Sequence, residues 1–222
     1  MDRTQLIHRR LTLVLQAVLL AGAGAAIWEQ QWFAAVLSLG IIAITFLPVL
    51  LERRFRVFIP PQFQLLAIGF IFATLFLGEV RDFYVRFWWW DVVLHTGSGF
   101  LLGIIGFLLV HVLNETEKIG VHLKPGFVAF FAFLFAVGCG ALWEIFEFSM
   151  DVLFKMNMQK QMLGDESGLT DTMFDLIVDT LGALVIAVLG FRYLKKSVGE
   201  SFLERWISEF IKKNPRFFGE KQ

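Results

Sequence analysis

Asp91 and His95 stand four residues apart, Glu144 and Glu147 three, and Asp171, Asp175 and Asp179 four each. On an α-helix these spacings return to one face. If the segments are helical, three helices each present an acidic stripe, and one stripe carries an imidazole. Carboxylate oxygens with a single imidazole suit hard divalent cations such as Mg²⁺, Mn²⁺ or Ca²⁺, with Zn²⁺ admitted by His95. In this reading Glu144, Glu147, Asp175 and Asp179 hold the metal, which polarises a phosphoryl oxygen or acidifies a bound water. His95, steered by Asp91, moves the proton. Glu79 and Asp171 are additional candidates. A competing account makes the acids helix caps favoured by the N-terminal dipole, or partners of Arg81 and Arg86. It serves Asp91 and Asp171 as well as the site reading does, and serves Asp175, Asp179, Glu144 and His95 less well. Glu79 and Asp82 fit either account.

The elements that must position these residues are membrane spans. Of 222 residues 57% are apolar and 18% charged, with mean hydropathy +0.66, whereas soluble domains run about 45–50% apolar and about 25% charged. About 20 apolar residues cross the roughly 30 Å hydrocarbon core as a helix. Six stretches qualify, at about 11–28, 32–51, 63–83, 90–113, 126–150 and 171–193. The expected fold is an all-α polytopic bundle of six transmembrane helices, forming one domain over 1–198. Beyond it, 199–222 forms a cytoplasmic tail. There Phe202, Leu203, Trp206, Ile207, Phe210 and Ile211 recur at helical spacing opposite charged residues, the pattern of an amphipathic helix lying on the membrane surface. The first span follows Arg9 and Arg10 and runs into small residues, so a cleaved signal peptide competes with a retained helix. The apolar run through Trp28 favours retention.

Basic residues set the orientation. Sixteen of the twenty fall at the N-terminus, in the 2–3 and 4–5 loops and after the last span. Only Arg81, Arg86, Lys155 and Lys160 lie on the opposite side. Both termini are therefore expected in the cytoplasm. Six of the seven tryptophans, Trp28, Trp32, Trp88, Trp89, Trp90 and Trp143, then fall at the outer interface, where amphipathic rings settle. The zero net charge gives no sign of a nucleic-acid partner. Cys139 alone excludes an internal disulfide and a thiolate zinc cage, and four histidines are too few for a His-rich di-iron site.

On this topology twelve acids lie on the outer side or in the outer ends of spans, against eight inside. An ionised carboxylate within a span costs about 2.5–3.5 kcal/mol even on lenient insertion scales. Gly99, Gly103, Gly106, Gly138, Gly140 and Gly182 let the last three spans approach closely, so the acids can share one pocket, and a cation or shared protons must then offset their repulsion.

The segments Trp88-Trp89-Trp90-Asp91 through His95-Thr96-Gly97-Ser98-Gly99, Trp143-Glu144 to Glu147, and Asp171-Thr172-Met173-Phe174-Asp175 to Asp179-Thr180-Leu181-Gly182 resemble the YjdF-type family of bacterial inner-membrane proteins. More faintly, their order is similar to that of VanZ-like proteins, the group associated with teicoplanin resistance. There a lysine, a glutamine and an asparagine stand where this chain has Val92, Glu147 and Asp179. The resemblance implies a multi-pass bacterial inner-membrane protein and supports the fold and the site, but it names no reaction.

The leading expectation is an outer-leaflet, metal-dependent hydrolase or transferase acting on a lipid or polyprenyl-linked phosphate, with membrane lipids as its surroundings. One rival is a cation or proton transporter or relay, since intramembrane acids also mark ion paths. The other is a non-catalytic envelope protein with a structural ion. Sequence alone gives neither substrate, metal identity nor oligomeric state.

Overall fold

The computed structural model describes residues 3–47, 49–50, 54, 58–115, 123–195, 209–210 and 212–215. Its helices are α1 (Arg3–Trp28), α2 (Trp32–Thr45), α3 (Pro61–Ile71) with a π-helical continuation (Phe72–Val80), the single turn α4 (Phe83–Arg86), α5 (Trp89–Glu115), α6 (Pro125–Phe154) and α7 (Leu169–Leu194). No strand forms among the described residues, where Met162 and Asp165 make one isolated bridge. Among the described residues, five helices are long and apolar enough to cross a membrane: Arg9–Trp28, Pro61–Val80, Trp89–Val110, Pro125–Phe154 and Leu169–Leu194.

The expected second span, 32–51, is a helix of 14 residues that ends at Thr45, about 21 Å long at 1.5 Å per residue. A turn at Phe46 follows, and the Leu50 N–H bonds to the Phe46 carbonyl at 3.0 Å. The expected amphipathic helix in 199–222 lies almost entirely outside the described residues. Within it, Lys213 Nζ pairs with Glu209 at 3.0 Å.

The chain divides into two compact units, Met1–Trp90 and Asp91–Gln222. In the first, Leu19, Ile41 and Phe76 form a small core, flanked by Leu37, Ile71 and Phe72. Gln16 and Thr45 satisfy each other across α1 and α2 at 2.9 Å, as buried polar groups must. Wider winding in the π segment closes the Arg81 N–H on the Phe76 carbonyl at 3.0 Å.

The second unit is the bundle of α5, α6 and α7. Gly99 faces the backbone of Asp179, Gly103 faces Ile186 and Gly190 faces the Phe107 ring, so positions advance together and α5 runs parallel to α7. Against α6 the order reverses, with Gly140 beside Asp179 and Gly126 beside Phe191. Gly99 and Gly182 stand where a Cβ would strike the carbonyls of Asp179 and Thr96; only glycine permits this approach. Ile104, Phe107, Val128, Ala132, Ala136 and Ile186 fill the rest of the interior.

The 155–168 connection is held by carboxylates. Asp151 accepts the backbone N–H groups of Met158 (2.8 Å) and Gln159 (2.9 Å), and Asp171 accepts that of Lys160 (2.7 Å). Asp165 accepts the N–H groups of Ser167 and Thr170, both at 2.9 Å, together with their hydroxyls. Gly168, at φ 77°, then starts α7, in a left-handed conformation that suits glycine.

Candidate functional site

Parallel α5 and α7 bring Asp91, His95, Asp175 and Asp179 to one end of the second unit. Antiparallel α6 delivers Glu144 and Glu147 to the same end. His95 sits at the centre and its two ring nitrogens face different acids. Nε2 lies 3.6 Å from Asp91 Oδ1 and 3.9 Å from Asp175 Oδ2. Nδ1 lies 3.4 Å from Asp179 Oδ2 and 3.7 Å from Glu144 Oε1. Four carboxylates from three helices thus surround one imidazole.

The surroundings are largely enclosed. His95 is 8% exposed, Glu144 3%, Asp179 2% and Asp175 0%. A buried carboxylate ordinarily collects hydrogen bonds, yet neither oxygen of Asp175 receives one. Asp179 is better served, since Ser98 donates to its Oδ1 at 2.5 Å and its Oδ2 faces His95 Nδ1 within hydrogen-bond range. Glu147, though buried, accepts from the Trp143 indole N–H at 2.9 Å. Asp171, fully enclosed, holds the Lys160 backbone. The Lys160 ammonium donates to the Asn157 carbonyl at 2.6 Å, and its charge also reaches Asp91 and Asp171.

Among the described residues, Asp91, His95 and Asp175 form the group that could hold a metal ion, their ligand atoms lying within 4.8 Å of one another. Metal-bound N and O ligands sit about 2.0–2.2 Å from the ion, so opposite ligands are about 4.4 Å apart and small side-chain rotations close the set. This grouping differs from the expected quartet of Glu144, Glu147, Asp175 and Asp179. It joins Asp91 and His95 with Asp175, while Glu144 and Asp179 lie on the Nδ1 side of the ring. Glu79 is exposed on the π segment of the first unit. Asp82, also exposed, pairs with Arg86 at 3.8 Å. Of the remaining histidines, His122 lies outside the described residues.

Ser98 escaped the sequence reading. It stands three residues after His95, a spacing that places both on one helix face, and that spacing was the signal available. The Trp143–Glu147 bond follows the same i,i+4 rule.

Residues 7–196 match the family described as "Predicted membrane protein (DUF2238)". The chain belongs to the DUF2238 family. The YjdF-type resemblance points to this same family. The chain is also 33% identical over 158 residues to an uncharacterized protein of Thermotoga maritima, covering 71% of this chain and 74% of that one. No solved structure matches. The family match spans all five long apolar helices and every residue around His95, so it describes membrane helices and site together.

Proposed function

We propose that this DUF2238 protein is a divalent-metal-dependent hydrolase or transferase acting at the outer leaflet on the phosphate of a lipid or polyprenyl-linked amphiphile. The observation that carries the reading is the convergence of Asp91, His95 and Asp175 in a largely enclosed pocket where both Asp175 oxygens lack a donor. A divalent ion supplies the missing positive charge. Two carboxylates and a neutral imidazole around it make a set of zero net charge, the least costly state in a low-dielectric slab. Such an ion polarises a phosphoryl oxygen and acidifies water. Glu144, buried beside His95 Nδ1, is a group able to take up a proton. A substrate anchored in the bilayer reaches a site built within the spans. The outer placement rests on the sixteen-to-four bias of basic residues and on the tryptophans at that end.

The rival of a proton or cation relay is disfavoured by what lies beyond the site along α5–α7, where Ile104, Phe107, Val110, Val128, Ala132 and Ile186 bury apolar surface and offer no polar continuation. A structural ion is the third reading. Similarity to VanZ-like proteins rests on motif order and suggests no further reaction.

The test reconstitutes the protein in nanodiscs containing a polyprenyl phosphate, a polyprenyl diphosphate or phosphatidic acid, with Mg²⁺, Mn²⁺, Ca²⁺ or Zn²⁺, and measures phosphate release and headgroup exchange. Metal-dependent turnover that is lost in Asp175→Asn supports the reading. Stoichiometric metal binding with no turnover on any of these phosphates leaves the structural-ion account in its place.

A further inference from the structure

His95 divides its surroundings in a way that assigns separate tasks to its two nitrogens. On the Nε2 side are Asp91 and Asp175, whose oxygens lie too far away, at 3.6 and 3.9 Å, to hydrogen-bond the ring. A bare imidazolium would draw such acids in to about 2.7–2.9 Å. The wider spacing leaves room for a guest between the three groups, and Asp175, 0% exposed and without a donor on either oxygen, points to what that guest must be: a cation. On the Nδ1 side Glu144 Oε1 stands at 3.7 Å and one acid comes within hydrogen-bond range. Asp179 Oδ2 lies 3.4 Å from Nδ1, and the Asp179 carboxylate is itself fixed by the Ser98 hydroxyl through its other oxygen at 2.5 Å. Gly140, where a Cβ would come within 2.6 Å of Asp179 Oδ2, keeps the space that this carboxylate occupies.

We infer that His95 ligates a divalent metal through Nε2, together with Asp91 and Asp175, while Asp179, held by Ser98, accepts the Nδ1 proton and so fixes the ring's tautomer and orientation. This rests on the metal-dependent reading above and specifies its centre. Asp179 thereby acts as a positioning residue and not as a ligand, and Ser98 acts through Asp179. A metal-bound histidine whose second nitrogen donates to a carboxylate is better oriented and more basic, and loss of such a partner typically weakens metal binding 10–100-fold. Proton placement follows from the acceptors: Nδ1 faces an anchored carboxylate and needs its hydrogen, whereas Nε2 must be bare to bind metal.

The experiment uses full-length protein in detergent, labelled with ¹⁵N-histidine and titrated with Zn²⁺, with affinities measured in parallel for Zn²⁺ and Mn²⁺. The expected result is one Zn²⁺ per chain, with the His95 Nε2 resonance shifting on binding and Nδ1 remaining protonated. Asp175→Asn abolishes binding. Ser98→Ala keeps Nε2 ligation, weakens Zn²⁺ binding by about 10–100-fold and shifts the Nδ1 proton resonance, and Ser98→Thr restores both. That resonance reports the hydrogen bond itself, which a generally loosened fold would not move selectively. Metallation at Nδ1, Zn²⁺ binding that leaves His95 unshifted, or a Ser98→Ala protein with wild-type affinity and an unmoved Nδ1 resonance overturns the inference while leaving a metal-dependent protein. Failure of Zn²⁺ and Mn²⁺ to bind at all overturns both.

Discussion

Gly99 in α5 rests on the backbone carbonyl of Asp179 in α7 with no room for a side chain between them. The contact locks the register of the two helices at the level of the site, because backbone cannot swing aside as a flexible side chain does. Gly99→Ala is expected to destabilise the protein by about 1–3 kcal/mol through overpacking and to weaken metal binding by moving Asp179 relative to His95. Thermal unfolding in detergent and a Zn²⁺ titration measure the two effects. Gly24→Ala, inside α1 where an added Cβ meets nothing within 4 Å, serves as the control: metal binding should not change, and the melting temperature should hold or rise because alanine favours helix.

Asp175 gives a prediction whose sign depends on metal. In chelator its buried carboxylate has no compensating donor, so Asp175→Asn should match or exceed the wild-type melting temperature. With metal at 100 times its Kd the wild type gains about 2.7 kcal/mol by mass action and the variant gains nothing, so their order inverts. Melting curves with and without Mn²⁺ check this. An order unchanged by metal would count against a bound ion.

Asp165 lies outside the membrane-spanning helices, and four hydrogen bonds from Ser167 and Thr170 hold its carboxyl below the usual aspartate range. A folded value below the unfolded one means that the stabilisation is present above about pH 4, the ordinary aspartate value, and is lost as pH falls through the lower folded value. Amide hydrogen exchange at Ser167 and Thr170 should therefore stay protected at mildly acidic pH. Asp165→Ala should speed it at neutral pH and remove the additional loss of protection at strongly acidic pH.

The orientation is tested with Glu166→Cys, an exposed position in the 155–168 connection, in a Cys139→Ala background that removes the sole native thiol. A membrane-impermeant maleimide should label it in intact cells or spheroplasts. Labelling only after the cytoplasmic face is opened would reverse the topology and place the site at the inner leaflet.

The long apolar runs and the i,i+4 pairs were legible in the sequence because periodicity puts Asp91 with His95, and Asp175 with Asp179, on one helix face. Periodicity stops at the face. It says nothing about which ring nitrogen meets which acid, a pairing that emerges only once the three helices are placed. Asp171 continues the i,i+4 series of Asp175 and Asp179, but its Oδ2 accepts the Lys160 backbone N–H, a contact that depends on the path of a connection carrying no strong pattern. The end of α2 at Thr45 was obscured by hydropathy that continues past it to Leu51.

The three aspartates of α7 also bear on how the protein enters the bilayer. Asp171, Asp175 and Asp179 are all buried, and each makes α7 a poorer candidate for independent insertion than its apolar remainder suggests. Asp179 is received by Ser98 and His95 on α5 and Asp171 by the backbone of Lys160 just ahead of α7, all translated earlier. The glycine crossing at Gly99 and Gly182 lets α7 lie directly against α5. The same side chains that fit the site for chemistry make its last helix dependent on its neighbours for admission to lipid.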